Sequence, residues 1–506
     1  MTLPGYEGLR VYFGDLHSHC DVGYGYGTPE DAYTNARLQL DFASVTAHGG
    51  WPDMPASDAR LADVVEYHRR GFAAAAARWP HLRAVTNAAN EDGRFVTFLS
   101  YEWHSLRYGD HNVYYRNGDG EIVEAADLDG LRRALGEIAA SGRPVLLIPH
   151  HIGYRAGYRG IDWATFVPVW SPVVEIVSMH GAAESDEAPY PYLHTMGPRD
   201  GRGTMRHGLR LGKVFGVIGS TDHHAAHPGS YGGGRAGVWA AGLTREAIWD
   251  ALTRRRTYAL TGDRIVLAFA INGQPMGSVL GSTRQRHIQV AVEAGDTIDY
   301  VDVVHNGRLL HRWTPTPGKV ASSTWKVVLE LGWGDRAAPV TWRVDLSVEG
   351  GRLLDVEPRL RGHDVVSPRE GGGEHLVLSS WERRGDRALL ETTTRGNPNP
   401  LTPGIQAISL HVAGDGSTRF AGRINDREVV VPLAALWEGA EVGYLGGFRT
   451  PAYRFSRAVS ATEFSGSFAL EHNGEGEGGW YYVRVRQTNH QWAWSSPIWV
   501  GARSSP

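Results

Sequence analysis

Arg10-Val11-Tyr12-Phe13-Gly14-Asp15-Leu16-His17-Ser18-His19 (RVYFGDLHSH) is the stretch on which the fold turns. Arg10–Gly14 is a short apolar strand candidate, and it runs directly into a histidine pair. Residues two apart on a strand face the same side, so His17 and His19 can point at one metal from one strand end. Neutral imidazole is the commonest biological metal ligand. Asp15 is a candidate partner that fixes a histidine tautomer. One H-x-H in a chain with 23 histidines is weak evidence. Its weight comes from repetition along the chain.

Outward from this stretch, strand and helix signals alternate. Thr28-Pro29-Glu30-Asp31 opens a helix, with Thr28 as N-cap and Pro29 at the first helical position. Further strands are expected at Asp41–Thr46, Phe95–Leu99, Val145–Ile148, Val173–Val177 and Val214–Ile218. Helices are expected at Ser57–Trp79, Leu128–Ala140 and Thr244–Arg255. Each strand ends in a metal-ligand type: His48, Glu102, His150-His151, His180 and Asp222-His223-His224. Any one of these alone reads as a solvated loop residue. In a parallel barrel all such strand ends gather on one face, where these folds build their sites. The βαβα rhythm therefore predicts an α/β fold with a parallel sheet or barrel.

After Gly262 helical periodicity nearly vanishes. Short β-rich runs follow, broken by turn signals such as Asn306-Gly307, a type I′ hairpin signal, and Gly371-Gly372-Gly373. The polar, glycine-rich run Arg359–Glu374 is a candidate link between two β units. The expected organisation is a barrel over residues 1–262, a β-sandwich-like region over 263–358, and a C-terminal β-rich region over 359–506 packing on the barrel. The run Trp480–Val500 is aromatic and strand-like.

Composition bounds the function. With 506 residues, 42% hydrophobic and 21% charged, the chain can bury a sizeable core, and wholesale disorder is excluded. A formal net charge of -4 argues against a generic nucleic-acid binder. No apolar run reaches the ~20 residues that span a bilayer. Met1–Arg10 lacks the basic-then-apolar pattern of a secretory signal, so a cytoplasmic protein with no membrane partner is expected. The one cysteine, Cys20, excludes an intramolecular disulfide framework and reads as a buried bystander. The 64 Gly and 26 Pro favour turns over long helices. The 17 Trp and 21 Tyr either fill β-sandwich cores or line a sugar or aromatic site. Trp51, Trp103, Trp163 and Trp170 lie near the strand-end loops where they could stack on a ring.

The series His17-x-His19, His48, Glu102, His150, His180 and Asp222-x-His224 resembles the PHP (polymerase and histidinol phosphatase) superfamily. The chain is most similar to a branch catalogued as a domain of unknown function. The closer match is carried by YFGDLHSH (Tyr12–His19), SYEWHS (Ser100–Ser105), PHH (Pro149–His151), STDHHAAHPG (Ser220–Gly229), Leu243–Ile265 and AWSSPIWV (Ala493–Val500). This resemblance implies a distorted (β/α)7 PHP barrel with two or three divalent metal ions, Mn2+, Zn2+ or Fe2+. It implies that His17, His19, Glu102 and Asp222 hold a first metal. Glu102 then bridges to a second held by His150 and His180, and His48 and His224 match positions that hold a third. Two positions depart from the family pattern. The usual Thr-Asp-His is Thr46-Ala47-His48, and the acid or His expected about eight residues after His17 is Gly25. Asp21 is a possible substitute for it. Without the third metal, His48 and His224 become proton donors or substrate contacts.

The activity implied is metal-dependent hydrolysis through a metal-bridging hydroxide, foremost of a phosphoester. Glu102 and Asp222 are the catalytic carboxylates, with His151 or His224 protonating the leaving group. His111, Arg155 and Arg264 are candidate substrate contacts, Arg offering a planar fork for phosphate or carboxylate. The substrate expected is small or carbohydrate-like. Two rivals remain: metal-dependent cleavage of a carboxyl ester, lactone, amide or glycan, and a non-catalytic carbohydrate- or ligand-binding protein on a degenerate barrel. Oligomeric state is not legible.

Overall fold

The computed structural model describes residues 3–188, 198–316, 323–334, 338–363, 376–395, 404–474 and 478–501. The fold is mixed α/β and strand-rich. β1 (Arg10–Asp15), β2 (Phe42–Gly50) and β3 (Val96–Trp103) lie side by side in parallel. They are joined through α1 (Pro29–Arg37) and α2 (Ala62–Ala89). Thr28 caps α1 as expected, its Oγ1 accepting from the Asp31 amide at 3.0 Å. α2 runs on past the expected stop at Trp79 and through Pro80. Proline removes one backbone hydrogen bond, but Val65, Ala75, Trp79, Leu82 and Thr86 form one buried stripe that keeps both sides of the break on the sheet.

The regular alternation then breaks. β4 (His111–Tyr115), not foreseen in the sequence, runs antiparallel to β3, and β5 (Val145–Pro149) runs antiparallel to β4. α3 (Leu128–Ala140) connects them with the expected bounds, and Gly142 just beyond it takes φ +87°. β6 (Val173–Ser178), β7 (Gly181–Ala182) and β8 (Gly216–Gly219) form a separate three-stranded sheet, with β6 and β8 parallel; α4 (Met205–Arg210) precedes β8. β9 (Arg235–Ala240) and β10 (Thr257–Leu260), also unforeseen, flank α5 (Arg245–Thr253); β9 runs antiparallel to β1, and β10 antiparallel to β9. The large sheet therefore reads β10-β9-β1-β2-β3-β4-β5, not seven parallel βα repeats.

That sheet does not end at β10. Trp492–Ser495 pairs antiparallel with it, and Gly479–Gln487 pairs with Trp492–Ser495. Ile298–His305 and Arg308–Trp313 extend the same sheet. They are joined by the expected two-residue hairpin, Asn306 at φ +49° and Gly307 at +81°, as a type I′ turn requires. A four-stranded sheet built on Val266–Ile271, Gln285–Glu293 and Ser465–Asn473 shares one apolar core with these strands, including Phe269, Val290, Val301 and Val483. A second β unit opposes a six-stranded and a five-stranded sheet over Leu329, Trp342, Leu410, Phe420 and Phe455. All strands of this second unit lie between Thr324 and Ser460, so the chain leaves the first β unit and later returns to it. The boundary expected at residue 359 falls on the last residue of the strand Arg352–Arg359. The glycine run 371–373 lies outside the described residues.

Two buried carboxylates tie the parts together. Asp263 accepts from Tyr231, Gln487 and Asn489 and pairs with Arg359 at 3.1 Å. Glu184, just after β7, accepts from Tyr482, Arg206, Arg484 and the Trp494 indole. No helix among the described residues is long and apolar enough to cross a membrane.

Candidate metal centre

The site is built where β1 ends. Asp15 does not touch a histidine ring. Its carboxylate accepts from the amides of His17, Thr221 and Gly229 and from the Thr221 hydroxyl. This staples the 220–229 loop beside the His17–His19 segment, where the His19 amide donates to the His223 carbonyl and the Asp222 amide to that of His17, both at 2.7 Å. Asp222 sits at φ +57° and His151 at +52°, a left-handed conformation uncommon for residues other than glycine. Both turns aim side chains inward.

Two buried carboxylates each serve histidines on both sides. Asp222 Oδ1 lies 3.0 Å from His19 Nε2 and 3.3 Å from His17 Nε2. Its Oδ2 lies 3.0 Å from His180 Nε2 and 3.4 Å from His151 Nε2. Glu102 Oε1 lies 2.7 Å from His150 Nε2, while Oε2 lies 3.4 Å from His48 and 3.5 Å from His19. His180 therefore sides with Asp222 and His151, whereas the sequence reading joined it to Glu102 and His150.

Outer contacts orient the rings. His17 Nδ1 meets Glu175 Oε2 at 3.0 Å, and His19 Nδ1 meets the Thr46 carbonyl at 2.7 Å. His224 Nδ1 meets the Asp222 carbonyl at 2.8 Å. An oxygen that only accepts fixes the proton on Nδ1 and leaves Nε2 facing the cluster. The sharpest consequence is that His17 Nε2 and His19 Nε2 stand 3.2 Å apart. Two nitrogen lone pairs that close repel unless a proton or a cation lies between them.

The charges agree. Burial opposes charge on His17, but Asp222 and Glu175 outweigh it and hold this imidazole well above its ordinary pKa. Burial would raise Glu102 and Asp222, yet His104 and His150 around the first and His17 at the second hold both well below the usual carboxylate range. Burial and neighbouring histidines push His48 and His151 well below the imidazole value and His224 down to about 3. His151 and His224 are thus neutral at neutral pH. Neutral imidazoles suit metal ligands.

The donor set fits divalent metal ions. Ligand atoms within 4.8 Å of one another form the groups His17-His19-Glu102, His151-His180-Asp222, Glu102-Asp110-His150-His151, His48-Glu102-His104 and His19-His48-His224. All eight positions expected as ligands lie in these groups. The mixture of imidazole and carboxylate admits several divalent ions. Gly25 cannot be replaced by a ligand, because a Cβ there would stand 2.4 Å from the Cys20 carbonyl oxygen. Asp21, its expected substitute, pairs with Arg78 at 2.9 Å. Cys20 is buried, and burial pushes its thiol up to about 12, keeping it protonated as the bystander expected.

Of the three expected substrate contacts, His111 and Arg264 turn to other partners. His111 is opposite Trp103 on the paired strands, so alternation turns it away from Glu102, and its Nδ1 meets the Gly109 carbonyl. Arg155 is exposed, over the Tyr158 ring. Arg264 donates to the Gln39 carbonyl. The guanidinium that does enter is Arg159, 2.5 Å from Asp110, 2.8 Å from His104 Nδ1 and 3.8 Å from Glu102. Of the four tryptophans, Trp103 and Trp163 are buried in cores, while Trp51 reaches the site edge against His104 and Arg159. Arg159, Asp110, His104 and Glu175 were not selected from the sequence. His104 carried a readable signal: Glu102-x-His104 repeats the two-residue spacing of His17-x-His19.

Glu175→Gln is expected to weaken metal binding about 10- to 100-fold, the usual effect of removing a carboxylate behind a ligating histidine. Competition against a fluorescent chelator measures it; wild-type affinity would remove Glu175 from the site.

A family model described as a protein of unknown function (DUF3604) matches residues 229–274. The chain is 27% identical over 256 residues to an uncharacterized protein of Chlamydia pneumoniae, covering 47% of this chain. It is 30% identical over 173 residues to an uncharacterized protein of Chlamydia muridarum, covering 31% of this chain. The matches span 41% and 28% of those relatives' own lengths. Two solved structures also align. One is a two-domain protein of Bacteroides vulgatus containing a predicted PHP-like metal-dependent phosphoesterase: 14% identity, TM-score 0.33, 85% of this chain and 98% of that one. The other is a lesion-specific endonuclease of Pyrococcus furiosus: 13% identity, TM-score 0.29, 48% of this chain and 56% of that one.

Proposed function

We propose that this protein is a metal-dependent hydrolase of phosphoesters. The observation that carries the reading is the pair of buried carboxylates, Glu102 and Asp222, each shared between histidines on both sides. Such a cradle suits two or more cations held close together. The ring of strands around it is read as a distorted barrel of the PHP kind. Two divalent ions supply, when bound, Lewis acidity and a water whose pKa falls from about 15.7 to roughly 7.

The chain's own residues do the rest. Glu175 and the Thr46 carbonyl hold the His17 and His19 rings in place. Asp110 and Glu102 raise the Arg159 guanidinium still further, so a permanent positive charge stands beside the cluster, where an anionic phosphoryl group would lie. His224, with its side chain 30% exposed, stands at the mouth as a neutral imidazole. The net charge of -4 supports a small substrate over a nucleic acid.

The test is a panel on metal-stripped protein reloaded with Mn2+ or Zn2+. It offers a phosphomonoester, a phosphodiester, a carboxyl ester or lactone, and an aryl glycoside. Metal-dependent phosphoester turnover is the expected result. Metal-dependent turnover of another class alone would overturn the choice of bond and keep the metal centre. Ligand binding without turnover of any class would favour a binding protein.

A further inference from the structure

Five rings from three segments meet beside the metal-facing histidines. Tyr24, from the 23–27 loop, stacks on His48 at 3.4 Å between centroids, and its hydroxyl is 3.2 Å from His104 Nε2. From α2, Tyr67 and His68 each lie 4.9 Å from Tyr24, and Phe72 lies 5.9 Å from His104. Trp51, following β2, stands edge-on to His68 at 5.0 Å and 5.8 Å from His104. The Arg159 guanidinium lies over the Trp51 ring, 5.3 Å from its centre.

This cluster is not what fastens α2 to the fold. The helix packs through the stripe Val65, Gly71, Ala75, Trp79, Leu82 and Thr86. Tyr67, His68 and Phe72 are not among these buried positions and remain partly exposed, as does Trp51. At the inner end His48 and His104 are buried. The collar therefore leads from solvent to the metal-facing imidazoles. Gly71 makes room for it, since a Cβ there would stand 2.3 Å from the Tyr24 ring. Nothing in the hydrolytic chemistry requires half-exposed aromatic rings at this edge. A flat ring on the substrate does, because aromatic faces bind rings by offset or edge contact and by excluding water.

We propose that the collar is a ring-binding subsite, in which Trp51 and Phe72 receive a flat ring carried by the ester while its phosphoryl group faces the metals. The assignment rests on the phosphoester reading. Its substrates would be aryl phosphoesters in preference to short alkyl ones.

Calorimetry on the Mn2+-loaded full chain tests this with methylphosphonate and phenylphosphonate, which are not hydrolysed and differ in the ring. Phenylphosphonate is expected to bind at least tenfold more tightly. That ratio should fall towards one in Phe72→Ala and in Trp51→Leu. Phe72→Leu, which keeps most of the bulk, should reduce it and serves if the alanine variant fails to fold. Equal binding of both probes by the wild type would overturn the subsite and leave the phosphoester reading standing. A ratio that survives in all the variants would also overturn it. Binding of neither probe would overturn the phosphoester reading, and the subsite with it. A third probe, glucosylmethylphosphonate, carries a ring that is not flat: weaker binding than phenylphosphonate is expected, and tighter binding would overturn the flat-ring assignment.

Discussion

Asp222→Asn is expected to lose metal ions on dialysis and to lose hydrolysis with them, metal affinity falling by more than about 100-fold. Removing a carboxylate one step behind a ligand already costs 10- to 100-fold, and Asp222 stands among the donors themselves. Its two oxygens face different histidine pairs, His17 with His19 and His151 with His180. An amide offers one acceptor oxygen, while its NH2 turns donors towards one of those pairs. The substitution is otherwise mild. Asparagine takes a φ of +57° as readily as aspartate, and the amide bond to the His17 carbonyl does not involve the side chain. Metal content by mass spectrometry, with thermal unfolding as the check on folding, decides the matter. A folded variant with wild-type metal content would remove Asp222 from the site.

A chain ending at residue 262 is expected not to fold. Such a chain loses Trp492–Ser495 and leaves one edge of β10 without a partner. It also strips Tyr482, Trp492, Trp494 and Trp499 from the core they share with Ile152, Ile176, Val177 and Phe215. Buried Glu184 loses Tyr482, Arg484 and the Trp494 indole together. A buried Trp truncated to Ala costs about 3–5 kcal/mol, and a domain's whole stability is about 5–15 kcal/mol. Three such losses, with that of Tyr482 besides, reach the margin. Soluble yield and near-ultraviolet circular dichroism test it. Cooperative unfolding of the 1–262 fragment would show that the metal-binding half is autonomous.

The candidate donors were legible because they stand just past strand ends: His17 and His19 follow β1, and Asp222 and His224 follow β8. What escaped had a different physical origin. Glu175 lies within β6, in VVEIVS, with both strand faces buried, and attention to strand ends passes over it. Arg159 approaches through a loop residue at φ +70°, a geometry with no sequence period. β4, β9 and β10 are short and buried throughout, so no polar alternation marks them. Their antiparallel pairing turns a regular βα expectation into a broken one. His111 illustrates the cost: with β4 unrecognised, nothing in the sequence could say that it faces away from Glu102.

The pairing of β10 with Trp492–Ser495 also fixes an order of events. Thr261 and the Trp492 amide that meets its hydroxyl are separated by 231 positions. At about 5–20 residues per second, a ribosome needs roughly 10–50 seconds to cover that interval. During it the β10 edge is finished but has no neighbour, while an entire second β unit is being made. Contacts this distant in sequence form slowly, and a bare strand edge invites pairing with other chains. The newborn protein therefore passes through a long window in which its metal-binding half is vulnerable to association. Chaperone dependence should be greatest while residues 263–491 are being made.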